Sequence, residues 1–388
     1  MLFPLVAALF LGQVTSAQCQ SVRNGTATAP SGTAPSGTAP SGTAPSGTGS
    51  VPGTNGGTVE TRTLEEIYQA ALKEGGTITV WHGGDEKDQA KDLKDAFEAK
   101  FKGLTLNLTV DLSKYHDGRI DDQLAADNVY VDSVILQSLH DYPRWAAQGA
   151  LLNYAPLGFD QIYPEFKDPG AAYYGLELFS WMNIWNNQKL QGSNFSTFQE
   201  FADPKYKDKL VLTWPNDDDA VMFAFELVVK KLGKGWLDSL LANNPRWVRG
   251  SATPLTLLMT PDTPVAASFT TTGGLVPING TAFTFPTDAD FVSWPQTGAI
   301  LKKAPHPEGA KLLHSWMLTP EFQQTIGWSV RKDVPAPAGF PDIMNMPNTN
   351  ASAFGAWMKD RSEVERLRFW YEDLLGTAQG ASPLTDDL

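Results

Sequence analysis

The chain has 388 residues, 43 acidic against 30 basic, and a formal net charge of −13. That balance excludes a nucleic-acid partner, because phosphate binding needs a basic surface, and gives no support to docking on an anionic membrane. The single cysteine, Cys19, rules out an intramolecular disulfide, and a chain of this length can bury enough apolar area to hold its core without one.

Residues 1–17 carry an apolar run at 2–11, then Thr15, Ser16 and Ala17. This is the pattern of a secretory signal peptide cut after Ala17. Gln18 stands where a lipoprotein would have a small residue before Cys19, which argues against lipidation. No later run is long and apolar enough to span a bilayer, so no membrane insertion is expected. Residues 29–48 repeat Ser-Gly-Thr-Ala-Pro, and 18–60 reads as a disordered linker with no apolar face to bury. Sequons at Asn24, Asn107, Asn194, Asn279 and Asn350 suggest a glycosylated eukaryotic product. The protein is expected to be secreted, with cell-wall association left open.

The globular part opens near Thr63, which forms a capping box with Glu66 ahead of a helix that Gly75 stops. Residues 77–80 favour a strand, with β-branched Thr77, Ile78, Thr79 and Val80. Trp81, His82, Gly83, Gly84 and Asp85 then make a polar turn, the glycines supplying backbone angles closed to other residues. Asp88, Ala90, Leu93, Phe97 and Phe101 recur at helical steps beyond it. Ligands in open α/β sheets sit at such strand ends. The plainer reading is a βα turn with Asp85 as helix cap. A strand at 104–110, a helix at 119–126 and an apolar strand at 131–136 follow, with Gln137 and Ser138 at the same edge as His82. Strands separated by helices imply a parallel α/β sheet.

Residues 172–185, aromatic and strand-like, read as one long strand crossing between two lobes. A second α/β pattern comes next: a short helix at 195–201, a strand at 209–213, a turn at Trp214, Asn216 and Asp217, and a helix at 220–232. A strand at 247–248, a helix at 255–259 opened by Ser251 and Thr253, and a strand at 265–269 ending in Thr270, Thr271 and Thr272 continue it. Strands at 282–285, 291–294 and 298–302 return the chain. Helices at 307–317, 322–326 and 362–375 close it, the last burying Val364, Leu367, Trp370, Tyr371 and Leu374.

Several stretches together resemble the extracytoplasmic solute-binding proteins of the type II periplasmic fold, nearest the iron(III)-, thiamine- and polyamine-binding branch, in a secreted, fungal-like form. They are Ala-Ala-Leu-Lys-Glu-Gly-Gly at 70–76, Phe-Glu-Ala-Lys-Phe-Lys-Gly at 97–103, and Ala-Asp-Pro-Lys-Tyr-Lys-Asp-Lys-Leu at 202–210. Lys-Ala-Pro-His-Pro-Glu-Gly-Ala-Lys at 303–311 and Leu-Thr-Pro-Glu-Phe-Gln at 318–323 are similar to the family's return segment. Their order over roughly 300 residues is the specific signal. The resemblance implies an α/β, two-lobed fold, each lobe a mixed, mostly parallel sheet with helices on both faces, joined by crossing strands. It puts 61–175 and 290–388 in the first lobe and 176–289 in the second. It implies a monomer, without cofactor or catalysis, that clamps a small ligand by hinge closure. The cleft walls would be His82 to Asp85 with Gln137 and Ser138, facing Trp214 to Asp217, Ser251 to Pro254 and Thr270 to Gly273. A transporter partner is left open.

The ligand is a thiamine-like or amine-like molecule, a metal ion or a small anion. Ferric-iron relatives use adjacent tyrosines in the second lobe; here Thr270, Thr271 and Thr272 stand there, and Tyr173 and Tyr174 belong to the crossing region. A metal would draw on His82 and Asp85, with His116 and Asp117, but no tight ligand spacing appears. An anion would use helix N-termini with Arg249 or Arg144. Trp81, Trp181, Trp185 and Trp214 would stack on a heterocycle or face a cation, the plainer reading being core residues. The expected contacts are Trp81, His82, Gly83, Gly84, Asp85, Gln137, Ser138, Trp181, Trp214, Asn216, Asp217, Ser251, Thr253, Thr271 and Thr272. The alternatives are a secreted hydrolase, for which no Gly-x-Ser-x-Gly elbow exists, and a ligand-free extracellular or effector protein reusing the fold.

Overall fold

The computed structural model describes residues 57–385; the expected signal peptide, Cys19, Asn24 and most of the linker lie outside the described residues. In chain order the first half contains β1 (Thr58–Val59), α1 (Leu64–Glu74), β2 (Thr77–Gly83), α2 (Lys91–Lys100), β3 (Thr105–Asp111), α3 (Ser113–Ala125), β4 (Ser133–Leu136), α4 (Asp141–Ala147), β5 (Tyr154–Ala155), β6 (Tyr174–Ser180) and β7 (Met182–Asn186). The second half contains β8 (Val211–Thr213), α5 (Asp219–Leu232), α6 (Lys234–Ala242), β9 (Arg246–Val248), α7 (Thr253–Met259), β10 (Ala267–Thr271), β11 (Thr281–Thr284) and β12 (Ser293–Ile300). Four helices follow: α8 (Pro307–Met317), α9 (Pro320–Gln323), α10 (Ala353–Met358) and α11 (Arg361–Leu375).

Two mixed groups of strands organise these elements, and β1 pairs with β5 in a separate two-stranded sheet. The first has the order β3-β2-β4-β12-β6. Its β2 runs parallel to β3 and β4, while β12 is antiparallel to β4 and β6. In the second, β10-β7-β11 is antiparallel and β8-β9 parallel, and a parallel bridge from Leu210 to Ala267 joins the two groups. Each sheet thus combines strand–helix–strand units with a strand arriving from the other half of the chain.

The crossing segment is not one strand. Trp181 interrupts it, leaving β6 in the first sheet and β7 in the second. The Trp181 N–H donates to the Val292 carbonyl at 3.0 Å, so the outgoing chain pairs with the returning one where they pass between lobes. The strands expected at 291–294 and 298–302 are the single strand β12.

Local signals explain most elements. The Thr63–Glu66 capping box forms, and α1 ends at Gly75 with φ of 130°. Helix α8 packs so closely on β2 that a Cβ on Gly309 would stand 2.3 Å from Ile78 Cγ1. Helix allocation is less local. Phe354 and Trp357 of α10 stack near Phe223 of α5 at 5.7 and 5.0 Å, and Tyr371 of α11 lies 5.8 Å from Phe225. Residues 353–375 therefore pack on the core that contains α5, and 176–180 lie in the first sheet. On α11, Val364 and Tyr371 are buried, but Trp370 is exposed, against expectation, beside the 64% exposed Phe369. An amphipathic period identifies an apolar face but not the sheet it meets, nor how wide the contact is.

Candidate functional site

The carboxyl end of β2 abuts the N-terminus of α3. A Cβ on Gly83 would stand 2.0 Å from Ser113 Oγ, and one on Gly84 would stand 2.8 Å from Val110 Cγ1. Neither glycine has positive φ. Close approach requires them, rather than the special backbone angles expected from sequence. Ser113 Oγ accepts the Gln137 N–H at 2.9 Å, which ties this turn to the end of β4. His82 is buried, with Nδ1 2.8 Å from the Gly83 carbonyl and Nε2 3.1 Å from Glu177 Oε2. The ring is committed to β6 of its own sheet.

Asp85 crosses to the other lobe. Its Oδ2 accepts the Ser251 N–H at 2.6 Å and also the Ser251 hydroxyl. It does not cap α2, which begins after Ala90 without a side-chain cap; Gln89 Oε1 instead accepts the Asp85 N–H at 2.7 Å. Three further hydrogen bonds cross the same seam. Lys114 of α3 donates to Asp217, 2.8 Å to Oδ1 and 2.6 Å to the carbonyl, and Arg249 Nη2 donates to the Tyr115 hydroxyl at 3.2 Å. Arg249 also grips Asp217 at 2.8 and 3.1 Å.

Burial sorts these carboxyl groups. Desolvation pushes Asp85 up, against the two Ser251 hydrogen bonds. For Asp217 desolvation also acts upward, but Arg249 and Lys114 more than offset it and hold the carboxyl below its ordinary value. Asp218 caps α5 by accepting the Val221 N–H at 2.9 Å; desolvation, then the Asp85 charge, push it up to about 7. On the flank, desolvation and then the Asp141 carboxylate push Asp117 up to about 7.

Other expected residues fall into two groups. Near the seam, Ser138, Trp214, Asn216, Thr253 and Thr271 are buried, while Gln137 and Thr272 are half-buried. Trp214 Nε1, Asn216 Oδ1, Thr253 Oγ1 and Thr271 Oγ1 have no hydrogen-bond partner among the described residues. Thr213 binds their strands together: its N–H donates to Thr270 Oγ1 at 2.9 Å and its hydroxyl to the Gly250 carbonyl at 2.8 Å. The tryptophans at 81 and 181 are elsewhere. Trp81 stacks on His116 at 4.8 Å in the core between the first sheet and α3, and Trp181 meets Trp294 edge-on at 4.9 Å. Strand alternation sends Trp81 and His82 to opposite faces.

Lys114, Tyr115, Ser113 and Asp218 escaped the sequence reading. Helix α3 starts at Ser113, six residues earlier than its apolar pattern suggests, because Leu112 offers no side-chain cap to mark the start. His82 and Asp85 turn to different partners, and among the described residues no group of three or more His, Cys, Asp or Glu side chains is placed to hold a metal ion. An open cavity of about 510 Å³, lined in part by Asp121, Arg144, Gln148 and Lys303, includes none of the seam residues.

No family model matches the chain, and no curated protein matches it. Solved structures do. The substrate-binding protein of an ABC transporter from Agrobacterium tumefaciens aligns with a TM-score of 0.65 at 14% identity, over 79% of this chain and 96% of that one. AfuA from Actinobacillus pleuropneumoniae, a periplasmic binding protein solved with fructose-6-phosphate, gives 0.61 at 16%, over 78% and 99%. Iron-bound HitA from Pseudomonas aeruginosa gives 0.54 at 15%, over 76% and 99%. The chain therefore has the two-lobed α/β fold of these periplasmic binding proteins.

Proposed function

We propose that the protein is an exported solute-binding protein that holds a small ligand between its lobes by hinge closure, without catalysis. The observation that carries this reading is the seam itself. Asp85 of one lobe is bonded to Ser251 of the other, and on the turns and strand ends of the second lobe Trp214, Asn216, Thr253 and Thr271 carry buried polar atoms without partners among the described residues. Buried polar groups are nearly always hydrogen-bonded, so unpartnered atoms on the turns that carry the seam contacts are candidates for bonds a ligand supplies. The first lobe in this reading comprises β1 to β6, β12, α8 and α9; the second comprises β7 to β11, α10 and α11.

The charge balance favours a neutral or cationic ligand, such as an amine-like or thiamine-like molecule, over an anion. Asp85, Asp217 and Asp218 outnumber Lys114 and Arg249. Ferric iron fits poorly, because the Tyr174 hydroxyl is buried against His314 Nδ1 at 2.9 Å. Catalysis has no support: the Ser251 hydroxyl is bonded to Asp85 and His82 to Glu177. Export is supported by the exposure of Asn107, Asn194, Asn279 and Asn350, the four sequon asparagines among the described residues. A second reading, a ligand-free extracellular protein, is favoured by one observation: Pro383 of the same chain is packed at the seam, against Gly250.

A thermal-shift screen of metals, thiamine derivatives, polyamines and small anions tests the proposal. Binding to the folded state raises the melting temperature. One ligand class should raise it for the wild type and not for Asp85→Ala; no shift with any class would favour the ligand-free reading.

A further inference from the structure

Beyond α11 the chain does not simply leave the molecule. The Gly376 carbonyl accepts a hydrogen bond from Asn216 Nδ2 at 3.0 Å. Gly380 then passes Arg249, where an added Cβ would stand 3.9 Å from Arg249 Cγ. Pro383 is buried against Gly250. A Cβ on Gly250 would stand 2.5 Å from Pro383 Cβ and 3.4 Å from Asp85 Cβ. The Thr385 N–H and hydroxyl both donate to the Ser382 carbonyl, at 2.8 and 3.2 Å, closing a turn with Pro383 in second place. Proline suits that place because its ring presets φ. A proline ring thus sits where Asp85 of the first lobe meets Gly250 and Ser251 of the second.

We propose that residues 377–385 are a strap that keeps the interlobe seam shut and lifts when the lobes part. Its anchors, Asn216, Arg249 and Gly250, belong to the second-lobe turns that carry the seam contacts. Pro383 shields the Asp85–Ser251 bonds from water, and such bonds strengthen as water is excluded. The span between anchors is small and polar, and Thr377, Gln379, Gly380 and Ala381 are exposed. A segment with so few buried contacts opens at low cost, unlike the helices beneath it. Shutting of the seam stands apart from ligand binding; only the strap's role in ligand exchange rests on the solute-binding reading.

Hydrogen–deuterium exchange with residue resolution tests the strap without any ligand, on the wild type, a variant lacking 377–388, and full-length Pro383→Asp. The Ser251 amide, which donates to Asp85, should exchange on the order of tenfold faster in both variants. Amides inside α5 should keep wild-type rates, showing the fold intact. Should the truncated form fail to fold, Pro383→Asp alone carries the test. Wild-type exchange at Ser251 in the folded variants would overturn the strap. Faster exchange at Ser251 with no hit in the thermal-shift screen would uphold the strap and remove the solute-binding reading.

Discussion

Asp85 and Ser251, 166 residues apart in the chain, are joined by two hydrogen bonds to a single carboxylate oxygen. Asp85 lies in the βα turn after β2, and Ser251, which donates both bonds, lies in the turn that opens α7. The pair ties these two turns together through one buried acid.

Removing that acid should loosen the clamp. A hydrogen bond to a charged group contributes about 1.5–3 kcal/mol. Asp85→Ala should therefore weaken binding of whichever ligand the screen identifies by roughly 10- to 100-fold. Ser251→Ala, which keeps the amide bond, should cost less. Titration calorimetry of both variants checks the order.

Asp218 should make stability fall with rising pH. Its carboxyl is pushed up to about 7 in the folded protein, against about 3.9 for an unperturbed aspartate. Between those values the folded state binds more protons than the unfolded one, so this group's contribution is fully present below about pH 4 and lost by about pH 7. Buried His314, lowered to about 3 by desolvation, acts in the opposite direction over about pH 3 to 6.5. The difference between variants separates the two. Asp218→Asn keeps a capping side chain, and its melting temperature relative to wild type should rise between pH 5 and pH 7. A constant difference would show that Asp218 does not titrate in this range.

His82→Ala should act on stability. It leaves the half-buried Glu177 carboxylate without its 3.1 Å partner, a loss toward the lower end of the about 1–3 kcal/mol for a fully buried group. Urea unfolding should show a lower midpoint with an unchanged slope, and ligand affinity should stay within about threefold of wild type.

Gly83→Ala should disturb the turn from below. The added methyl would meet Ser113 Oγ at 2.0 Å; relieving it means rotating Ser113 and losing its bond to the Gln137 N–H. Overpacking of this kind costs about 1–3 kcal/mol. The double variant Gly83→Ala, Ser113→Ala should recover part of that loss in the same unfolding measurement.

The order of strands and helices was legible because alternating and helical apolar periods are local, as in β2 and α5. The capping box at Thr63 and the stop at Gly75 were equally plain. The turn after β2 was legible in place but its contacts were not. Gly83 to Asp85 do stand at the end of a central strand, but nothing near Asp85 announces a partner as distant as Ser251. Trp81 and His82 looked alike as strand-end residues, and alternation separates them into core and polar edge. Asp218 is half-buried at the start of α5, and only packing shows how close the Asp85 charge stands to it. Lys114 and Tyr115 stayed hidden because α3 begins without a cap.

The most direct measurement of the central claim is native mass spectrometry of the protein purified from its own secretions, compared with Asp85→Ala prepared in the same way. The clamp predicts a small non-covalent adduct on the wild type, absent from the variant and released on denaturation. A wild-type mass accounted for by polypeptide and glycans alone would contradict it.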